Sequence, residues 1–151
     1  MTVNRTPEQR KSDALAMLTA SNTNVWVASA SLTGAVHLVP VSHTWNGAQI
    51  IVATEPSSRT AANVAANPQA SLALGETRDV VMIEAILVKT FLEDAAPAEL
   101  ADGFATQARW DPRTDSDDYI YLVFRPERIG VWREGEDLTG RTVMRNGAWV
   151  I

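Results

Sequence analysis

The residues best suited to bind a ligand lie in one short segment, from Thr54 to Thr60. An apolar run ends at Thr54, and the next polar side chains are Ser57, Ser58, Arg59 and Thr60, at the start of an alanine-rich stretch with helical spacing. Hydroxyls, a guanidinium and the free N–H groups of a helix start all donate hydrogen bonds to an anion, and the helix dipole favours negative charge. The segment therefore predicts a phosphate site. The alternative is a plain polar helix cap, which needs only one hydroxyl.

Composition indicates an ordinary globular protein. The chain has 151 residues, of which 46% are hydrophobic and 21% are charged. These values fit one domain over residues 1–151, with a sizeable core. The absence of cysteine excludes disulfides, thiolate metal sites and cysteine nucleophiles.

Charge and hydropathy also limit the partners. A net charge of -5 argues against a general nucleic-acid binder. Membrane-length apolar stretches are absent, and residues 1–10 are polar, unlike a signal peptide, so we expect a cytoplasmic protein. With two histidines and no cluster of ligands in the sequence, we predict no metal site.

The periodicity of the chain predicts six to eight strands and two or three helices. Residues 7–20 form an amphipathic helix, with Thr6 as its N-cap and Pro7 in its first turn, and we expect this N-terminal helix to pack on the barrel. A second helix follows Ser57, and a third covers residues 97–109. Strand signals cover residues 25–31, 36–45, 49–54, 70–74, 80–91, 119–124, 128–132, 142–144 and 148–151, and from these segments we expect the six to eight strands.

Turn signals join most of these strands as hairpins, at Thr33-Gly34, Asn46-Gly47 and Asn146-Gly147. Alternating βαβ units are absent. The pattern thus predicts a mainly β protein with inserted helices, built as an antiparallel barrel rather than a doubly wound sheet.

Three segments in order resemble the pyridoxamine 5'-phosphate oxidase-like superfamily. The first is Thr54 with Ser58-Arg59-Thr60 and the run from Asn67 to Leu72, where the family has a strand-end Thr, Ser-Arg-Lys and Asn-Pro-Arg-Val-Ser-Leu. The second is Arg128-Ile-Gly-Val-Trp132, continuing to Arg141 and Trp149. A weaker third match is the run from Val81 to Ala85, where the family often has Val-x-Val-Glu-Gly. The resemblance implies a split β-barrel that binds FMN.

The resemblance also implies roles for individual residues. Thr54, Ser58 and Arg59 would hold the flavin phosphate, and Thr60 stands where the family usually has a phosphate-binding lysine. Trp132 and Arg141 match flavin contacts, and His43 lies near a position where the oxidases carry a lysine. Family members are typically homodimers with the cofactor at the subunit interface, so we expect the same here.

The substrate motif of the true oxidases is missing. Where they have Arg-Leu-His-Asp-Arg, this chain has Asp137-Leu-Thr-Gly-Arg141, and Val80 replaces a glutamine near the flavin. An aspartate would repel a phosphorylated substrate. We therefore expect an FMN-dependent oxidoreductase that acts on a small molecule other than the vitamin B6 phosphate. The alternatives are a reductase that uses the deazaflavin F420 and a non-catalytic module that binds flavin or haem.

Four other side chains have competing interpretations. His43 is either a half-exposed edge histidine or a proton and hydrogen-bond donor near the flavin ring. Glu84, within an apolar strand, is expected to pair with an arginine across the sheet. Trp110 is expected in an exposed loop, and one interpretation is that it covers a ligand or packs on a partner subunit. Trp26 is expected in the core or at an interface.

Overall fold

The computed structural model describes residues 4–151. Its strands form one antiparallel sheet in the order β3-β2-β1-β4-β5-β6-β7-β8, and an additional β3–β6 pairing closes the first six into a barrel. The predicted mainly β split barrel with inserted helices is confirmed. The bounds of the elements are α1 Pro7–Thr19, β1 Asn24–Ala30, β2 Val36–Trp45, β3 Ile50–Thr54, α2 Arg59–Ala66, β4 Gln69–Glu76, β5 Asp79–Leu92, α3 Ala98–Ala108, β6 Ile120–Trp132, β7 Thr142–Arg145 and β8 Ala148–Trp149.

The barrel interior is filled by alternate side chains of its strands, as the two-residue period of a β-strand requires. On β1 the buried residues are Val25, Val27 and Ser29, while Trp26 between the two valines is 47% exposed. Helix α1 covers one end of this core through Ala14 and Leu18, both fully buried. No helix in residues 4–151 is both long enough and apolar enough to cross a membrane.

Strand β6 corrects one prediction. The sequence favoured two strands, 119–124 and 128–132, because proline usually interrupts a ladder. The structure has one strand, and Pro126 lies where its neighbour on one side changes from β3, paired as far as Phe124, to β7, paired from Ile129. A missing N–H costs little in such a gap, and the bulge in the β5–β6 register next to Ala85 accommodates the chain.

A second hydrophobic cluster lies outside the barrel, under α3. Ile51 and Tyr121 face outwards from β3 and β6 and pack against Phe104 of α3. Trp110 belongs to this cluster, which corrects its predicted exposure: its ring lies edge-on to Tyr119 at 4.8 Å between centroids, and its indole N–H donates to Asp115. The ring therefore packs on its own chain.

Candidate functional site

The predicted phosphate segment forms the connection between β3 and α2. Ser58 is the N-cap of α2, and its Oγ accepts a hydrogen bond of 3.1 Å from the Ala61 N–H. The Thr54 hydroxyl, at the end of β3, donates to the same oxygen at 2.9 Å. Both acceptor positions of the Ser58 hydroxyl are thus used, so its hydrogen is free to donate to a ligand.

The charge at this helix start comes from Arg59. Its side chain is exposed, and no carboxylate in the described part of the chain forms an ion pair with it. Ser57 is exposed beside it. Ser57, Ser58 and Arg59 therefore offer hydroxyl and guanidinium donors at a helix N-terminus, an arrangement that suits a phosphate.

The side chain of Thr60 lies elsewhere. The residue is 1% exposed, and its hydroxyl has no hydrogen-bond partner in the described structure. Its hydroxyl therefore does not join the exposed donors of Ser57 and Arg59, and only its backbone N–H remains at the helix start. A lysine at this position would add a charge that this chain lacks.

Trp132 and Arg141 come together at the other predicted part of the site. The Arg141 guanidinium lies over the Trp132 ring, with its carbon 5.8 Å from the ring centroid. The indole folds back over Gly130, where an added Cβ would lie 3.2 Å from a ring carbon. The absence of a side chain at Gly130 thus leaves room for the Trp132 ring.

These residues line a cavity of about 410 Å³ on the outer face of the sheet. Polar side chains of three strands reach it: Ser71 of β4, Glu84 of β5 and Arg128 of β6. Glu84 and Arg128 are directly opposite in the β5–β6 register, as the sequence led us to expect. Both are exposed, however, and they form no ion pair within 4.0 Å in the described structure. Their charges are therefore available to a ligand.

The structure does not bring the two groups together within one chain. Thr54 pairs with Ile120 at the beginning of β6, whereas Trp132 is the last residue of that strand. At roughly 3.3 Å per residue, the strand between them runs for about 40 Å, less any curvature. A ligand that contacts both groups would have to take one from each of two chains.

His43 lies in neither group. The ring is fully buried, and its nitrogens lie 3.2 Å from the carbonyl oxygens of Leu18 and Thr23, at the end of α1 and the start of β1. This corrects the expectation of a half-exposed edge histidine. Both ring nitrogens face backbone oxygens and not open space, so the structure gives His43 a role in holding α1 to β2.

Burial lowers the pKa of His43 below its usual 6.5, more than the two carbonyl contacts raise it. The unfolded chain therefore takes up a proton near pH 6.5 that the folded chain resists. We expect the free energy of unfolding to fall, by up to about 1.4 kcal/mol per pH unit, as the pH drops below 6.5. Urea unfolding at pH 7.5 and 5.5 measures this loss. It should disappear in His43→Gln and persist in the control His37→Gln; persistence in both would contradict the assignment.

A buried charge cluster that the sequence did not predict lies beside Trp132 and Arg141. Asp137, 6% exposed, accepts hydrogen bonds from Arg5 at 2.6 Å and from Arg10 at 3.1 Å. The partners are separated by more than a hundred residues, so no local pattern could have revealed them. Arg10 itself is fully buried.

This cluster corrects the role expected for Asp137. Burial alone would raise the pKa of its carboxyl, but the hydrogen bonds from Arg5 and the Arg133 N–H and the charge of Arg10 outweigh burial and lower it. The carboxylate is neutralised by arginines of its own chain and points into the protein. It does not present a bare negative charge to a substrate.

Solved structures with the same fold bind different cofactors according to their descriptions. An F420 reductase is 12% identical, with a TM-score of 0.61, and the match covers 76% of this chain and 94% of that one. An FMN-binding protein from Syntrophomonas wolfei is 14% identical, with a TM-score of 0.65 and coverage of 83% and 87%. A haem-binding protein from Mycobacterium smegmatis is 19% identical, with a TM-score of 0.61, and the match covers 97% of this chain but 60% of that one. At these identities the likeness shows the fold alone.

Sequence comparison identifies the family. Curated protein sequences give no match. The profile described as pyridoxamine 5'-phosphate oxidase, however, matches residues 12–145, which span α1 to β7 and include both groups of candidate residues. The chain belongs to the pyridoxamine 5'-phosphate oxidase family.

Proposed function

We propose that this protein binds FMN and is a flavin-dependent oxidoreductase that acts on a small molecule. The observation that carries the proposal is the unpaired Arg59 beside the free Ser58 hydroxyl at the start of α2, in a chain of this family. These donors fit the phosphate of FMN. Bound FMN would supply the hydride chemistry, while the protein supplies binding, orientation and electrostatics.

The second part of the proposed site takes the flavin ring. Trp132, packed against Gly130, offers an aromatic side chain, and Arg141, whose guanidinium lies over that ring, offers hydrogen-bond donors. Because this group and the phosphate group lie at opposite ends of β6, we propose a homodimer in which each FMN binds Arg59 of one chain and Trp132 of the other. The exposed Trp26 lies on the same outer face of the sheet and suits such an interface.

Titration with FMN and with riboflavin, which lacks the phosphate, tests the phosphate site at Arg59. FMN and riboflavin differ only in that group, so FMN should bind the wild-type protein more tightly. Arg59→Gln should weaken FMN binding about 10- to 100-fold, the worth of charge-assisted hydrogen bonds, and leave riboflavin binding unchanged. Arg109→Gln, which removes an exposed arginine at the end of α3, is the control. Equal binding of FMN and riboflavin to the wild-type protein would refute the phosphate site.

Mixing two defective variants tests the shared site. Arg59→Gln lacks the phosphate group and Arg141→Gln lacks a ring contact, so each homodimer carries only damaged sites. A mixed dimer carries one undamaged site and one doubly damaged site. Random exchange in an equal mixture should restore about a quarter of the tight FMN sites of the wild-type protein. A mixture that binds no better than either variant would exclude a site shared in this way.

F420 is the second candidate, favoured by the arginine pair Arg128 and Arg141 in the outer cavity. Two exposed cations would suit the acidic tail that F420 carries and FMN does not. Tight binding of F420 with no binding of FMN would replace the first proposal. A bound flavin that is never reduced by nicotinamide or reoxidised by oxygen or a quinone would favour a binding module, and tight haem binding would favour a haem-binding module.

A further inference from the structure

The connection between β6 and β7, residues 133–141, is held from inside by one side chain. The guanidinium of Arg10 donates through Nε to Arg5 O, through one terminal nitrogen to Val131 O and Asp137 O, and through the other to the Asp137 carboxylate and Thr139 O. All five of its N–H donors therefore have acceptors. Such saturation requires the planar fork of arginine, which lysine cannot reproduce.

The carboxylate of Asp137 completes the cluster. It also accepts the backbone N–H of Arg133 at 3.0 Å and both the backbone and the side chain of Arg5. A further carboxylate, that of Asp13, takes the other side of Arg5 at 2.8 Å. Asp13 also pairs with the guanidinium of Arg133, in the connection itself, at 3.7 Å. The segment leading into α1 is thus joined to the connection by a network of arginine–aspartate ion pairs.

The same network reaches Arg141. Arg10 binds the Val131 carbonyl, and the Val131 N–H donates to the Arg141 carbonyl at 2.8 Å. The Arg141 N–H in turn donates to Leu138 O, inside the held connection. The backbone from which the Arg141 side chain extends over Trp132 is therefore fixed at both of its polar groups.

We infer that Arg10 is a positioning residue: with Asp137 it sets the conformation of the 133–141 connection and so places Arg141 against Trp132. The effect of Arg10 on flavin affinity rests on the proposed function, whereas its effect on the conformation of the 133–141 connection does not. Arg10 touches neither Trp132 nor the outer cavity in the described contacts, so it acts through the backbone. The N-terminal helix thereby influences the ring end of the site.

The test is Arg10→Lys, which keeps the positive charge but loses the planar guanidinium with its five hydrogen-bond donors. Riboflavin reports the ring end alone because it lacks the phosphate. We expect riboflavin and FMN to bind about tenfold more weakly, with their affinity ratio unchanged. The amide hydrogens of Val131 and Arg141 should exchange faster. Asp102→Ala, which removes an exposed carboxylate on α3 and should barely change the overall stability, is the control and should change neither measurement. Asp137→Asn replaces Arg10→Lys if the latter does not fold.

The two measurements separate the possible results. Weaker riboflavin binding together with faster exchange supports the inference. Unchanged riboflavin binding with faster exchange would mean that the cluster is purely structural. Weaker binding with unchanged exchange would mean that Arg10 acts by a route other than the connection. Either result overturns the inference, and so does no change in both measurements. If the wild-type protein binds neither flavin, the proposed function fails. Exchange then decides alone: faster exchange confined to residues 131–141 supports the hold on the connection, and wild-type exchange overturns it.

Discussion

Replacing Asp137 with alanine is expected to lower the free energy of unfolding by about 3 to 5 kcal/mol, because the buried Arg10 loses its counter-charge. Neither water nor another carboxylate can replace Asp137 beside Arg10. Arg10 is fully buried, and Asp137 is its only charged acceptor in the described structure. The backbone N–H groups of Arg5 and Arg133 also lose their acceptor. Urea unfolding at pH 7 measures the change.

Asp102→Ala is the matched control. It removes the carboxylate of an ion pair with Arg113 whose aspartate side chain is 68% exposed, so its cost should stay below about 1 kcal/mol. Equal costs for the two variants would show that burial adds nothing to the Asp137 network.

The Asp137 contribution should also depend on pH, with a sign that follows from its lowered pKa. The unfolded carboxyl takes up its proton near pH 3.9, above the pH at which the folded one does. The contribution is therefore complete at pH 6 and is lost as the pH falls below about 4 through the folded pKa. In acid the difference in stability between the wild-type protein and Asp137→Ala should shrink.

Phe104→Ala is expected to cost about 3 to 5 kcal/mol as well, for a different reason. The ring is fully buried in the cluster outside the barrel, edge-on to Tyr121 at 5.4 Å between centroids and to Trp110 at 6.2 Å. Removing it leaves a cavity where α3 is attached to β3 and β6. Urea unfolding measures the change, and riboflavin affinity should stay at the wild-type value while the protein is folded.

The control for this variant is Leu100→Ala on the same helix. Leu100 is only partly buried at the edge of the cluster, so its truncation should cost clearly less than that of Phe104. A Phe104→Ala cost below that of Leu100→Ala would mean that the helix is held mainly by other contacts, such as the hydrogen bonds of Gln107 to Leu18 and Trp45.

Local chemistry made much of the fold predictable. The strand Val36–Trp45 and the hairpin at Asn146-Gly147 follow from alternation and from residues that tolerate positive φ, which the structure shows at both turn positions. The start of α1, with Thr6 as its N-cap and Pro7 in the first turn, could be predicted in the same way. What the sequence could not supply were pairings between distant segments. The closure of β3 on β6 is one, and it also explains why Pro126 does not end a strand.

The candidate site divides in the same way. The cap at Ser58 and the exposed Arg59 could be predicted because both act within one turn of helix. Thr60 and His43 are buried because other segments pack over them. The periodicity of a strand or a helix does not predict which segments those are. Arg10 is the extreme case: within a polar helical stretch it has the pattern of a solvated residue, and only the fold places Asp137 against it.

The separation of the Thr54 end of the site from Trp132, by the length of β6, has a thermodynamic consequence. A flavin that needs a group from each of two chains links ligand binding to association, so each drives the other by mass action. Apparent flavin affinity would then rise with protein concentration, and dilution would release the cofactor together with the partner chain. In a cell, the abundance of the protein would itself set how much of it carries flavin.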